Sequence, residues 1–143
     1  MRASVGEVRG DTFFLPVRVY FEDTDAGGVV YYANYLKYLE RARTEWLRAL
    51  GWEQSELVSA AGIVFAVRSL ELEYLAPARL DDRLEVEARV VRIGRASLDF
   101  DQAVRRGPTA LCGGRVRVAC IDADSFRPRA LPVDLKEVIA GGG

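Results

Sequence analysis

The residues with the clearest capacity for chemistry are Asp23 and Asp25, followed by Gly27, Gly28 and a Val/Tyr run, in YFEDTDAGGVVYYANY. Asp25 stands a few residues before the start of an amphipathic helix, where unpaired N–H groups and the helix dipole attract negative charge. A carboxylate beside such amides is the layout of a small acyl-transfer or hydrolysis site. The carboxylate supplies a base or nucleophile, and the amides stabilise an oxyanion. Asp23, two residues away on extended backbone, points to the opposite side and is expected to tie the loop to its own N–H groups. Gly27 and Gly28 form either a plain turn or a place where the backbone approaches a substrate closely.

The composition excludes several other chemistries. There is no histidine in the 143 residues, so Ser–His and Cys–His nucleophile pairs and His-ligated metal sites are ruled out. Cys112 and Cys120 lie an even number of residues apart in one apparent strand, which gives them one face but neither a bridge nor a zinc spacing. Twenty basic and 21 acidic residues leave a net charge of −1, so nucleic acid is not an expected partner. No apolar run approaches the roughly 18 residues of a membrane span. Residues 1–12 carry no basic-then-apolar signal pattern. These features read as a cytoplasmic protein.

The elements that must position the aspartates follow from periodicity. Leu15, Val17, Val19 and Phe21 alternate with polar neighbours as a half-buried strand. A helix is expected from Asn34, as N-cap, to Leu50, with Gly51 as its stop. Tyr35, Leu39, Ala42 and Trp46 form its apolar stripe. Four more strands follow, around 64–75, 84–90, 98–104 and 116–120, and a short helix covers 132–139. One helix cannot cover five strands. The sheet is therefore expected to wrap around it and to pair edge-to-edge with a second copy.

The segment VRVYFEDTDAGGVVYYANYLKYLERARTEWL, together with LEYLAPARLDDRLEVEARV, resembles the hot-dog-fold acyl-CoA thioesterases of the 4-hydroxybenzoyl-CoA thioesterase type. It is most similar to their Tol-Pal-associated branch. The resemblance implies an α+β hot-dog fold, a five-stranded antiparallel sheet wrapped around one long central helix. Residues 1–13 would be a lead-in, 14–139 the domain and 140–143 a flexible tail. It further implies hydrolysis of an acyl-CoA thioester without metal or cofactor, and dimers that assemble into a homotetramer. An acyl carrier protein is a possible further partner.

Carried over by residue, the resemblance places the catalytic carboxylate on Asp25 and the carbonyl-polarising backbone amide on Tyr32. Gly27 and Gly28 would let the thioester approach. Val64, Phe65 and Val67 are candidates for the acyl tunnel, and Arg68 and Arg95 for CoA phosphates. Much of the Tol-Pal-associated branch has tyrosine at the place of Phe21 and histidine at that of Tyr32, so no histidine-assisted mechanism operates here. A competing reading is a non-catalytic module that holds an acyl-CoA or acyl carrier protein at the cell envelope. A hydratase on the same fold would want a His–Asp pair, which this chain lacks.

Overall fold

A computed structural model describes residues 6–141. Six antiparallel strands form one sheet in the order β1-β2-β4-β5-β6-β3: β1 Glu7–Arg9, β2 Thr12–Arg18, β3 Ile63–Tyr74, β4 Arg83–Ile93, β5 Ser97–Arg106 and β6 Thr109–Asp122. The sheet curves around α1, Asn34–Ala49. A short helical segment α2, Gln54–Glu56, runs on as a wide turn to Ala61, and α3, Val133–Ala140, closes the described chain.

This is the expected α+β arrangement with one strand more than the sequence suggests. Residues 7–14 form a hairpin. Glu7–Arg9 pairs with Thr12–Phe14 around Gly10, whose φ of 65° only glycine adopts without cost. Too short to show an alternation, β1 has no periodic signature.

One face of each inner strand is apolar and faces the helix. Leu84, Val86 and Ala88 of β4, Leu98, Phe100 and Val104 of β5, and Val116, Val118 and Cys120 of β6 are buried against Tyr35, Tyr38, Leu39, Ala42 and Leu47 of α1. Trp46 meets Phe100 edge-to-face at 5.1 Å between ring centres. Gln102 is the one polar side chain buried on this face among the described residues; its Nε2 donates to the Leu39 carbonyl at 3.1 Å and so pins the helix to the sheet. Cys112 and Cys120 are both buried and unbridged, and burial pushes the Cys112 thiol up to about 11.

The opposite face is ionic. Asp101 accepts from both Arg89 and Arg115, and buried Asp99 takes two hydrogen bonds from Arg117, at 2.8 and 3.0 Å. β3 lies at the sheet's edge with its outer side unpaired among the described residues. That position explains why Val67, Leu70 and Tyr74, apolar-face residues by alternation, are exposed at 45, 41 and 46%.

Candidate active site

The loop between β2 and α1 is built around Asp23. Its carboxylate accepts the Tyr20 N–H at 2.9 Å, closing the turn Phe21–Asp23, as expected of an aspartate there. Its carbonyl accepts the Tyr31 N–H at 3.0 Å and the Asn34 side-chain amide at 2.8 Å. Asn34 is thus not the helix cap: Ala33 occupies that position without a side-chain bond, and Asn34 is a strut from the first turn back to the loop. Tyr38, one turn further on, is fully buried. Its hydroxyl completes no well-formed hydrogen bond among the described residues, with the Asp23 carboxylate beside it. Burial, with the Asp23 carboxylate nearby, raises its phenol strongly.

Asp25 sits at the tip of this loop. Its N–H donates to the Val29 carbonyl at 2.9 Å and its carbonyl accepts from Gly28 at 3.0 Å. Gly28 has φ of 79°, so a side chain there would strain the turn. The Gly27 N–H donates to Asp25 Oδ1 at 2.8 Å, and a Cβ on Gly27 would come within 3.3 Å of the same oxygen. The carboxylate is therefore oriented by one backbone donor, while Oδ2 has no donor among the described residues. The Asp25 side chain is on the exposed surface of the protomer.

The chain then enters α1 through tight turns. Asn34, Tyr35 and Leu36 donate to the carbonyls of Tyr31, Tyr32 and Ala33 at 2.8, 3.3 and 3.2 Å. This leaves the N–H groups of Tyr32 and Ala33 without an acceptor among the described residues, at the positive end of a 16-residue helix. The Tyr74 hydroxyl from β3 donates to the Tyr32 carbonyl at 3.2 Å. The loop after β3 supports the same segment from below. Val30 donates to the Ala78 carbonyl at 2.8 Å, and the Ala78 N–H donates to the Tyr35 hydroxyl at 3.0 Å. Tyr31, Tyr32, Tyr74 and Tyr35 form a continuous aromatic wall, with ring centres 4.8, 6.2 and 5.4 Å apart in sequence. Burial raises the phenols of Tyr35 and Tyr74.

Of the sequence-derived candidates, Asp25, Gly27, Gly28 and Tyr32 thus share one loop and helix start. Phe65 and Val67 line a separate cavity of about 350 Å³ between α1 and the sheet. Val64, opposite Ile121 on the strand pair, is not among that cavity's walls. Arg68 occupies the bulge of β3 between Val67 and Ser69, and Arg95 lies in the β4–β5 turn, where its carbonyl accepts from Leu131; both side chains are exposed. Tyr74 and the Ala33 amide are not legible in the sequence. Tyr74 reads as one more alternating strand residue, and its partner lies 42 positions away. Among the described residues no three metal-ligating side chains gather, and no helix is long and apolar enough to cross a membrane.

Known proteins share this architecture. A family model described as the thioesterase superfamily matches residues 27–113. The chain is similar to the acyl-CoA thioesterase YbgC of Haemophilus influenzae, at 45% identity over 124 residues covering 87% of this chain and 91% of that one. It is similar to the acyl-CoA thioester hydrolase YbgC of Shigella flexneri at 46% identity over 129 residues, 90% and 93% of the two chains. The crystal structure of a probable thioesterase from Bartonella henselae superposes with a TM-score of 0.80 at 36% identity, covering 83% of this chain and 98% of that one.

Proposed function

The chain belongs to the thioesterase superfamily and is a thioester hydrolase, and from that premise we propose that it cleaves acyl-CoA with Asp25 as its reacting carboxylate. The observation that carries the assignment is the pairing of an Asp25 carboxylate, oriented by the Gly27 N–H, with the acceptor-free amides of Tyr32 and Ala33 at the start of α1.

Two steps use that pairing. In one, Asp25 Oδ2 attacks the thioester carbonyl carbon, the C–S bond breaks, and the sulfur leaves with the bonding pair as CoA thiolate. Water then opens the resulting mixed anhydride to free acid and regenerated carboxylate. In the other, Asp25 takes a proton from water, which attacks the same carbon. The tetrahedral oxyanion in either route is stabilised by the Tyr32 amide, with Ala33 beside it and the helix dipole behind it. Loss of such a donor typically costs about 3 kcal/mol. Thiolate departs without help from a general acid, which suits a site that contains no histidine.

The exposure of Asp25 in the protomer and the unpaired edge of β3 support a shared site. Antiparallel pairing of two β3 edges about a two-fold near Ser69 sets residues 63–67 of one copy opposite 71–75 of the other. Each cavity lined by Phe65 and Val67 then lies beside the partner's Asp25 loop, and receives the acyl group. Arg68 and Arg95 are candidates for the CoA phosphates. The direct test is a hydrolysis screen of purified protein over short, long and aromatic acyl-CoAs, with released thiol as readout. Turnover of at least one class is expected; binding of acyl-CoA with no thiol release from any class would favour a non-catalytic acyl-CoA or acyl-carrier-protein module.

A further inference from the structure

The cavity between α1 and the sheet contains an arginine without a carboxylate. Trp46 from the helix, Phe65 and Val67 from β3, and Leu98 and Phe100 from β5 form its apolar side, and Glu40, Thr44 and Gln54 form a polar one. Arg43 projects from α1 into this lining and is half-buried. The other half-buried arginines, Arg48, Arg89, Arg105, Arg106 and Arg117, each hold a carboxylate within ion-pair distance. Among the described residues Arg43 has none. Its one hydrogen bond, from Nη1 to Gln102 Oε1 at 2.8 Å, ends on a neutral amide. Glu40, one turn earlier at the cavity mouth, acts on it only through space.

The neutral amides around it are already committed. Gln102 Nε2 is engaged by the Leu39 and Glu87 carbonyls, and Gln54 donates to Thr44 at 3.2 Å. Burial lowers the Arg43 pKa, yet a guanidinium stays charged throughout the physiological range. A desolvated cation with most of its five donors unfilled is unfavourable unless an acceptor joins it. A planar carboxylate is the acceptor that a guanidinium fork fits best.

We infer that Arg43 selects acyl-CoA substrates whose acyl group carries a carboxylate at the end remote from the thioester, with the methylenes between them against Trp46, Phe65 and Phe100. This rests on the reading above that the cavity receives the acyl group. The substrate class is then the CoA monothioesters of short dicarboxylic acids, and the product a free dicarboxylate.

The test compares kcat/KM for succinyl-, glutaryl- and adipoyl-CoA with butyryl-, pentanoyl- and hexanoyl-CoA, pairs of equal length that differ in the terminal carboxylate. Wild type is expected to favour the carboxylated member of at least one pair by about tenfold or more, the worth of one good charge-assisted contact. Arg43→Met should collapse that ratio, and Arg43→Lys should keep part of it. A ratio is insensitive to the fraction of enzyme folded, and Arg43→Gln, which can still reach Gln102, serves if the Met variant does not fold. Preference for the methyl-ended member at every length, or a ratio unmoved in the Arg43 variants, overturns the inference. Asp25→Asn separates the two readings: if it abolishes turnover of all six while the ratio does not respond to Arg43, only the Arg43 assignment falls.

Discussion

The Tyr74 hydroxyl on the edge strand donates to the Tyr32 carbonyl at 3.2 Å, so β3 reaches across to hold the peptide unit whose other end is the Ala33 N–H. A hydrogen bond at the carbonyl polarises the N–H of the same peptide. It also fixes the direction in which that amide and its Tyr32 neighbour point. On the proposed mechanism Tyr74 acts on the oxyanion through the backbone, as a positioning residue.

Tyr74→Phe keeps the ring contacts with Tyr32 and Tyr35 and removes only the donor. The expected result is a kcat lowered about fivefold, the equivalent of one net hydrogen bond of about 1 kcal/mol, with KM nearly unchanged. Steady-state kinetics beside a thermal melt checks this. An effect on KM alone would assign Tyr74 to substrate binding instead.

The pH dependence has two parts. With no histidine in the chain, log kcat should be flat between about pH 5.5 and 8, and a bell centred near neutrality would contradict a single-carboxylate mechanism. Stability should fail on the acid side. The N–H groups of Ser125 and Asp124, with Arg129, hold the Asp122 carboxyl down to about 2, and Arg117 lowers that of Asp99. Carboxyls depressed in the fold stabilise it above their unfolded value of about 3.9, and that contribution is lost as pH falls through the folded values. Melting temperature should therefore decline from about pH 4 toward pH 2. A melting temperature independent of pH across that window would mean these pairs contribute nothing.

Gly114→Ala tests how β3 is seated. A Cβ at Gly114 would lie 1.8 Å from the Glu71 carbonyl oxygen on the neighbouring strand, and backbone cannot yield that distance without β3 moving away from β6. The variant should melt well below wild type and lose catalysis with it, since β3 carries Tyr74. Circular dichroism melts and activity on the same preparation decide it; a variant with wild-type stability would mean the strands separate freely here.

Much of this was legible locally. Alternation placed β3 to β6 and most of β2, although the expected strand ran on to Phe21, which lies exposed in the turn after β2 ends at Arg18; the Tyr35, Leu39 and Ala42 stripe with Gly51 at φ 93° bounded the helix within a residue. Asp23 could be placed because its partner, the Tyr20 N–H, is three residues away. What escaped depends on tertiary neighbours. Asn34 looks like a cap because asparagine favours that position, yet the Asp23 carbonyl, 11 residues back, competes for its amide. Arg43 carries no signal in the sequence, and only the packing of β3 and β5 over it reveals a cation with no carboxylate in ion-pair distance.

Assembly is the next expectation. The long unpaired edge of β3, with Val67, Leu70 and Tyr74 exposed, and the ionic outer face of the sheet should both be covered, giving a tetramer built from dimers. Light scattering at micromolar concentration reads this directly. A mass near the single-chain 15.9 kDa would contradict both the assembly and the sharing of the site between subunits.

The most direct measurement of the central claim is single-turnover thioester hydrolysis by Asp25→Asn. The amide is isosteric, still accepts the Gly27 N–H through its oxygen, and removes the negative charge that attacks carbon or takes a proton from water. Folding and assembly should match wild type by circular dichroism and light scattering. Acyl-CoA binding should persist, and the rate of thiol release should fall at least about a hundredfold, the range for loss of a positioned base or nucleophile. An Asp25→Asn protein that binds and hydrolyses acyl-CoA at near wild-type rate would show that the carboxylate before α1 is not the reacting group.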